Sequence, residues 1–197
     1  MNIIGPTIAF LLSVSILSAD HHNGEESYLN LPTSWKEYIS LKKEQKAFGV
    51  WSSTGKTSGI WEGIPEGLEY IHTFTSQMSA DGSKILNSHV MKTKDGAILS
   101  TGSGMETWDA KRNKIFSSQS GYDGGKLYTG PSELIGISGS SEKWKYTETI
   151  SGKTYEVIQT RTTEAPNKRS QTNMRVKEPN NSVTYTFTKQ PRKKTKK

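Results

Sequence analysis

From Gly49 onward, polar and apolar residues alternate with a period of two, which is typical of antiparallel strands that bury one face. Turn signals recur about every 8–14 residues, the spacing of consecutive strands in a meander. No comparable helical pattern interrupts this stretch, which disfavours parallel βαβ units. The pattern therefore predicts an all-β domain. The turn signals are Gly63–Gly67, Asp81-Gly82, Asp95-Gly96, Asp109–Asn113, Asp123-Gly124-Gly125, Ser151-Gly152, Pro166-Asn167 and Pro179-Asn180-Asn181.

A sheet with this many consecutive strands has two open edges unless it closes on itself. Closure removes both edges, so we expect a closed antiparallel up-and-down β-barrel of about 8–10 strands. Gly102 and Gly104, in the middle of the predicted strand 97–108, suit the bending that closure requires. A two-sheet sandwich is the alternative.

One short helix is predicted before the strands. Ser34 and Glu37 have the spacing of a capping box. Trp35, Tyr38 and Ile39 share one face at i, i+3 and i+4, which predicts that this face is buried. The lysines of the helix are expected to face water: Lys36, Lys42, Lys43 and Lys46.

The chain divides into four segments by composition. Residues 1–19 contain a short apolar run that ends in Ser18-Ala19, as expected of a signal peptide cleaved after Ala19, which predicts an extracytoplasmic protein, periplasmic or secreted. Residues 20–31 are a polar, flexible lead-in, residues 32–190 the barrel, and residues 191–197 a basic, disordered tail. The chain has no cysteine, so its stability cannot come from disulfides.

Positive charge is concentrated at the C-terminus. Six of the nine residues at 189–197 are basic in a chain of net charge +7, so the rest is nearly neutral. The tail is either a solvated extension or a weak adhesive for anionic surfaces. No basic stripe with interleaved aromatic residues occurs in the predicted strands, so we expect no specific nucleic-acid binding.

The parity of each predicted strand indicates which side chains point into the barrel. The inward face is clear for 68–78, 143–150, 155–161 and 183–189, but strand 84–92, with His89, is ambiguous. Each clear inward face includes an ionisable or imidazole side chain among apolar ones. The inward residues chosen as candidate ligand contacts are Tyr70, His72, Phe74, Trp144, Glu148, Tyr155 and Arg161.

Gly49-Val50-Trp51 directly follows the helix and opens the first strand. A short helix, then G-x-W, then a meander resembles the lipocalin and calycin barrels, including uncharacterised lipocalin-like domains of secreted bacterial proteins, and the haem-binding nitrobindins. The resemblance implies that Trp51 closes the barrel bottom beneath a basic residue. Lys189 stands at the matching place, where the family more often has arginine.

The resemblance also implies a cavity for a small, mostly apolar or amphipathic molecule. The leading hypothesis is a non-catalytic binding module, monomeric or homodimeric. The alternatives are a haem-binding, nitrobindin-like barrel and a filled core, which would leave a structural or interaction domain with an adhesive tail. Neither G-x-S-x-G nor H-E-x-x-H occurs, which disfavours an enzyme.

Individual residues keep alternative roles. His72 is either a haem ligand or cavity anchor, or a hydrogen-bonded structural histidine. Glu148 and Arg161 either orient a ligand carboxylate or carbonyl, or form a buried ion pair. If cleavage follows Ala19, the new N-terminus Asp20-His21-His22 has the donors for square-planar Cu(II) or Ni(II); the alternative is a chance pair of solvated histidines.

Deletion of residues 192–197 is expected to leave the thermal unfolding midpoint unchanged, because the tail follows the last alternating segment. The same deletion should abolish retention on heparin or anionic vesicles at low salt. Calorimetry and a salt-gradient column measure the two effects. A markedly lower midpoint would place the tail within the fold.

Overall fold

The computed structural model describes residues 30–191, which form one helix and a closed barrel of ten antiparallel strands. Each strand pairs with the next, and the first pairs with the last. This confirms the predicted up-and-down barrel and rules out the sandwich. The elements are α1 (Trp35–Glu44), β1 (Gly49–Lys56), β2 (Glu69–Met78), β3 (Ile85–Thr93), β4 (Ile98–Asp109), β5 (Lys114–Asp123), β6 (Lys126–Ser138), β7 (Ser141–Ile150), β8 (Lys153–Ala165), β9 (Lys168–Arg175) and β10 (Glu178–Lys189).

The predicted turns coincide with the observed connections except near the C-terminus. The signal at Pro179-Asn180-Asn181 is wrong: β9 and β10 are joined at residues 176–177, and residues 179–181 form an irregularity inside β10. Proline cannot donate to a ladder, so it is tolerated at this bulge. A further turn without a predicted signal joins β6 to β7 at Gly139, whose φ is +54°.

Helix α1 closes one end of the barrel. Ser34 Oγ accepts from the Glu37 N–H at 3.3 Å, as the capping pattern predicts. Tyr38 and Ile39 are buried against residues from four strands, and Trp35 Nε1 donates to the Gly82 carbonyl at 2.8 Å. The buried residues of this end cluster are Tyr38, Ile39, Ile85, Ile115, Leu134, Ile137 and Trp144.

Lys42 does not face water, contrary to the prediction. Its side chain is buried, and Nζ lies 2.9 and 3.0 Å from the two carboxylate oxygens of Glu142 on β7. Trp144 Nε1 also donates to Glu142, at 3.2 Å. The helix periodicity cannot reveal this pairing, because the partner is supplied by a strand far along the chain.

The loop at residues 57–68 covers the opposite end of the barrel. Ile60 and Ile64 are buried there. Trp61 Nε1 donates to the Tyr185 hydroxyl at 2.8 Å, and Lys126 Nζ donates to Glu62 at 2.8 Å. The interior is thus bounded by a helix below and by a loop above. Within residues 30–191, no helix has the length and apolar character needed to cross a membrane.

Replacing Lys42 with alanine is expected to lower the free energy of unfolding by about 3–5 kcal/mol, because Glu142 would be left charged, buried and without its partner. Lys43 is the neighbouring, exposed lysine of the same helix, so Lys43→Ala is the matched control, with an expected change within about 0.5 kcal/mol. Urea unfolding measures both. Equal effects would contradict the assignment of Lys42 to the core.

Candidate functional site

A cavity of about 90 Å³ lies inside the barrel, between the helix end and the loop end. Sixteen residues line it. Six of them are aromatic or apolar, and the other ten, which include two histidines, are polar or ionisable, so the lining is more polar than the resemblance implies. The aromatic and apolar lining residues are Trp61, Phe74, Met91, Tyr128, Tyr146 and Tyr185. The others are His72, His89, Ser100, Gln119, Asp123, Glu148, Gln159, Arg161, Gln171 and Asn173.

Four of the seven candidate ligand contacts line this cavity: His72, Phe74, Glu148 and Arg161. The other three lie elsewhere in the interior. Tyr70 packs in an aromatic cluster, and Trp144 belongs to the core beneath the helix. Tyr155 is covered by the Arg175 guanidinium, 3.9 Å from its ring centroid. The structure resolves the ambiguous strand as well, because His89 points inward and lines the cavity.

Two glycines make room for one wall of the cavity. A Cβ at Gly102 would lie 2.0 Å from the Tyr128 hydroxyl oxygen, and one at Gly121 would lie 2.6 Å from it. The Tyr128 side chain therefore reaches across β5 and β4, where its ring stacks on His89 with planes 12° apart. Gly102 thus has a packing role beyond the predicted bending of its strand.

His72 is buried in the cavity wall without a hydrogen bond. Neither ring nitrogen has a partner among the described residues, and the side chain is 6% exposed. Burial lowers the pKa of His72 to about 3, with the charges of His89 and Arg169 acting in the same direction. The imidazole is therefore neutral and offers the cavity one donor and one acceptor. The predicted alternative, in which His72 is a hydrogen-bonded structural histidine, does not agree with this, because no described residue forms a hydrogen bond with its ring.

Two carboxyl groups line the same cavity. Glu148 is 3% exposed, and its Oε2 has no hydrogen-bond partner among residues 30–191. Burial raises the pKa of Glu148 to about 7; the charge of Asp123 adds to this, and Arg175 opposes it. Burial also raises the pKa of Asp123 to about 6, against a hydrogen bond from the Ser100 hydroxyl.

Ser100 connects Asp123 to His89. Ser100 Oγ lies 2.9 Å from His89 Nε2, and burial lowers the pKa of His89 to about 4. The His89 tautomer sets the direction of this hydrogen bond.

The predicted pair of Glu148 with Arg161 does not form. The register of β7 and β8 places Arg161 opposite Glu142 and Glu148 opposite Tyr155, six residues apart along the ladder. Arg161 instead donates to Glu106 at 2.8 Å and, through Nε, to Gln159 at 2.7 Å. Parity identified both inward faces, but only the register decides which residues meet.

The residues expected to close the barrel bottom are adjacent. Trp51 faces Lys189 in the β1–β10 register, and Lys189 Nζ lies 5.0 Å from its ring centroid. A Cβ at Gly49 would lie 3.0 Å from Lys189 Cε. Arg169 on β9 was not predicted to take part in this closure. The central carbon of its guanidinium lies 4.5 Å from the ring centroid of Trp51 and 4.4 Å from that of Phe74. Arg169 alternates with Gln171 and Asn173, so no apolar pattern indicated an inward face there.

Haem does not fit this site. Pockets for drug-sized ligands span roughly 300–1,000 Å³, well above the 90 Å³ found here, and the rings of Tyr185 and Phe187 lie 5.2 and 5.1 Å from the His72 ring. No group of three or more potential metal ligands occurs within residues 30–191. The copper-binding prediction for Asp20, His21 and His22 lies outside the described residues and stays a prediction, as do the signal peptide and the tail.

A comparison of the chain with protein-family models and with curated proteins finds no match. The closed ten-stranded antiparallel barrel is compatible with a calycin-like fold.

Glu148→Gln is expected to gain stability relative to the wild type as the pH rises from about 4.5 to 7. In the wild type the Glu148 carboxyl group keeps its proton in the folded state over this pH range but releases it in the unfolded state. The free energy of unfolding of the wild type therefore falls by about 1–3 kcal/mol over this range. The lowered imidazole pKa values act in the opposite direction, but equally in both proteins. Urea titrations at several pH values measure the difference, and a pH-independent difference would contradict a raised Glu148 pKa.

Proposed function

We propose that this protein is an exported, non-catalytic binding module that holds one small amphipathic molecule inside its barrel. The observation that carries the proposal is the buried, unsatisfied hydrogen-bonding capacity of the cavity wall. Each such group costs about 1–3 kcal/mol when left without a partner. A cavity whose His72 nitrogens and Glu148 oxygen lack protein partners is suited to a molecule that supplies them.

The size of the cavity limits the occupant. At about 90 Å³ it has room for roughly three waters or for an organic molecule of a few heavy atoms. The apolar surface of Phe74, Met91 and Tyr185 suits a short hydrocarbon part, and the polar groups suit a hydrogen-bonding end. The proposed occupant is therefore smaller and more polar than the resemblance implies.

Entry is proposed through the loop at residues 57–68. This loop covers one end of the barrel without belonging to a strand ladder, whereas the walls are continuous hydrogen-bonded strands. Trp61, from this loop, lines the cavity and is held by its bond to Tyr185. Opening the loop breaks the Trp61–Tyr185 hydrogen bond and the Lys126–Glu62 ion pair and exposes Ile60 and Ile64. Separating two strands would instead break a ladder of backbone hydrogen bonds.

Export and the absence of catalysis are parts of the same proposal. Export rests on the apolar run and small residues that precede Asp20 in the sequence. The non-catalytic role is supported by the sequence, in which neither G-x-S-x-G nor H-E-x-x-H occurs.

Native mass spectrometry of the mature protein, freshly isolated from its source, is expected to show one retained small molecule. Gln171→Phe should abolish retention because residue 171 lines the cavity and phenylalanine fills part of it. Thr172→Phe is the matched control, since Thr172 faces outward and bonds Thr184. If only waters occupy the wild-type cavity, the barrel is a structural domain without a ligand and the proposal fails. If both variants retain the molecule equally, the molecule is bound outside the cavity and the proposal fails as well.

A further inference from the structure

The cavity has an excess of acidic groups that no lining cation neutralises. Asp123 and Glu148 both line it, and each influences the other's charge state. Among the described lining residues the single arginine is Arg161, and it is bonded to Glu106. Arg175 does not line the cavity, although its charge acts to lower the pKa of Glu148. Its Nη1 lies 3.8 Å from Glu178 Oε2, while its Nε and Nη2 have no hydrogen-bond partner among residues 30–191.

Glu148 points to the ligand most directly. Its side chain is more than nine-tenths buried and lines the cavity, and Oε2 has no hydrogen-bond partner among residues 30–191. A buried carboxylate needs a cation or several hydrogen-bond donors to be stable in its charged form. In the absence of a ligand, the carboxyl group keeps a proton instead.

The remaining walls also favour a cation. Trp61, Tyr128 and Tyr185 present aromatic rings to the cavity, and ring faces attract organic ammonium groups. An anion would meet two carboxyl groups, and the guanidinium that lines the cavity, that of Arg161, is already bonded to Glu106. A neutral alcohol would hydrogen-bond to the protonated carboxyl groups but would gain no charge–charge attraction from them.

We propose that the molecule held in the barrel is a small organic ammonium compound, with its N–H groups donating to Glu148 Oε2 in the field of Asp123 and its hydrocarbon part on the aromatic side. This inference rests on the proposed function, namely that the cavity binds a small molecule.

Binding should also release protons below about pH 7, because an ammonium ligand requires the carboxyl groups to ionise. Isothermal titration in two buffers of different ionisation enthalpy measures this release. The titratable and charged groups around the two carboxyls, among the described residues, are His72, His89, Tyr128, Tyr146, Arg161, Arg175 and Tyr185.

The test compares three probes of matched size on the full mature chain: n-butylamine, 1-butanol and butyrate. At pH 7, n-butylamine is expected to bind at least about tenfold more tightly than either of the others, a difference in affinity set by charge alone. Glu148→Gln should weaken n-butylamine binding by about tenfold or more and abolish proton release. The matched control is Glu156→Gln on the neighbouring strand β8. It removes a carboxylate that pairs with Lys145 and does not line the cavity, so binding should be unchanged.

The other outcomes would contradict the ammonium inference, the proposed binding function or both. If 1-butanol binds as tightly as n-butylamine, or if Glu148→Gln has no effect, the cavity binds molecules but the ammonium inference is wrong. If no probe binds while native mass spectrometry detects a retained molecule, the ligand belongs to another class and the inference is again wrong. If neither experiment detects an occupant, the inference and the proposed function fail together.

Discussion

The buried charge network beneath the cavity is the interaction on which the rest of the structure depends. Lys42 of the helix binds Glu142, and Arg161 of β8 binds Glu106, which also accepts from the Tyr38 hydroxyl at 2.7 Å. Burying charges is costly unless they are paired and hydrogen-bonded, and here each has a partner. The network fixes the helix to the barrel wall and neutralises its own charges locally.

Because the network neutralises its own charges, it leaves no cation for the carboxyl groups of the cavity above it. Arg161 lines the cavity, yet its charge is directed toward Glu106, so Asp123 and Glu148 have no cation of their own there. Two adjacent layers of the same barrel therefore have opposite character. The lower layer is satisfied and holds the fold together, while the upper layer contains carboxyl and imidazole groups without partners, which is the pattern expected of a binding site.

The alternating sequence predicted the strands, the barrel and most of the turns because side-chain parity is a local property. Parity also placed His72 and Glu148 on inward faces. Three features escaped it for physical reasons. The partner of Arg161 depends on strand register, and the burial of Lys42 depends on a strand about a hundred residues away. Arg169 lies on a strand whose inward face is polar, so nothing apolar marked it.

The central claim is that the upper layer of the barrel is a ligand site and not a filled core. A crystal structure of the mature protein isolated from its source, without added ligand, tests it most directly. We expect continuous non-water density in the cavity, within hydrogen-bonding distance of Glu148 Oε2 and in contact with the aromatic wall. A cavity that is empty, or that contains only separate waters bonded to His72 and Glu148, would contradict it.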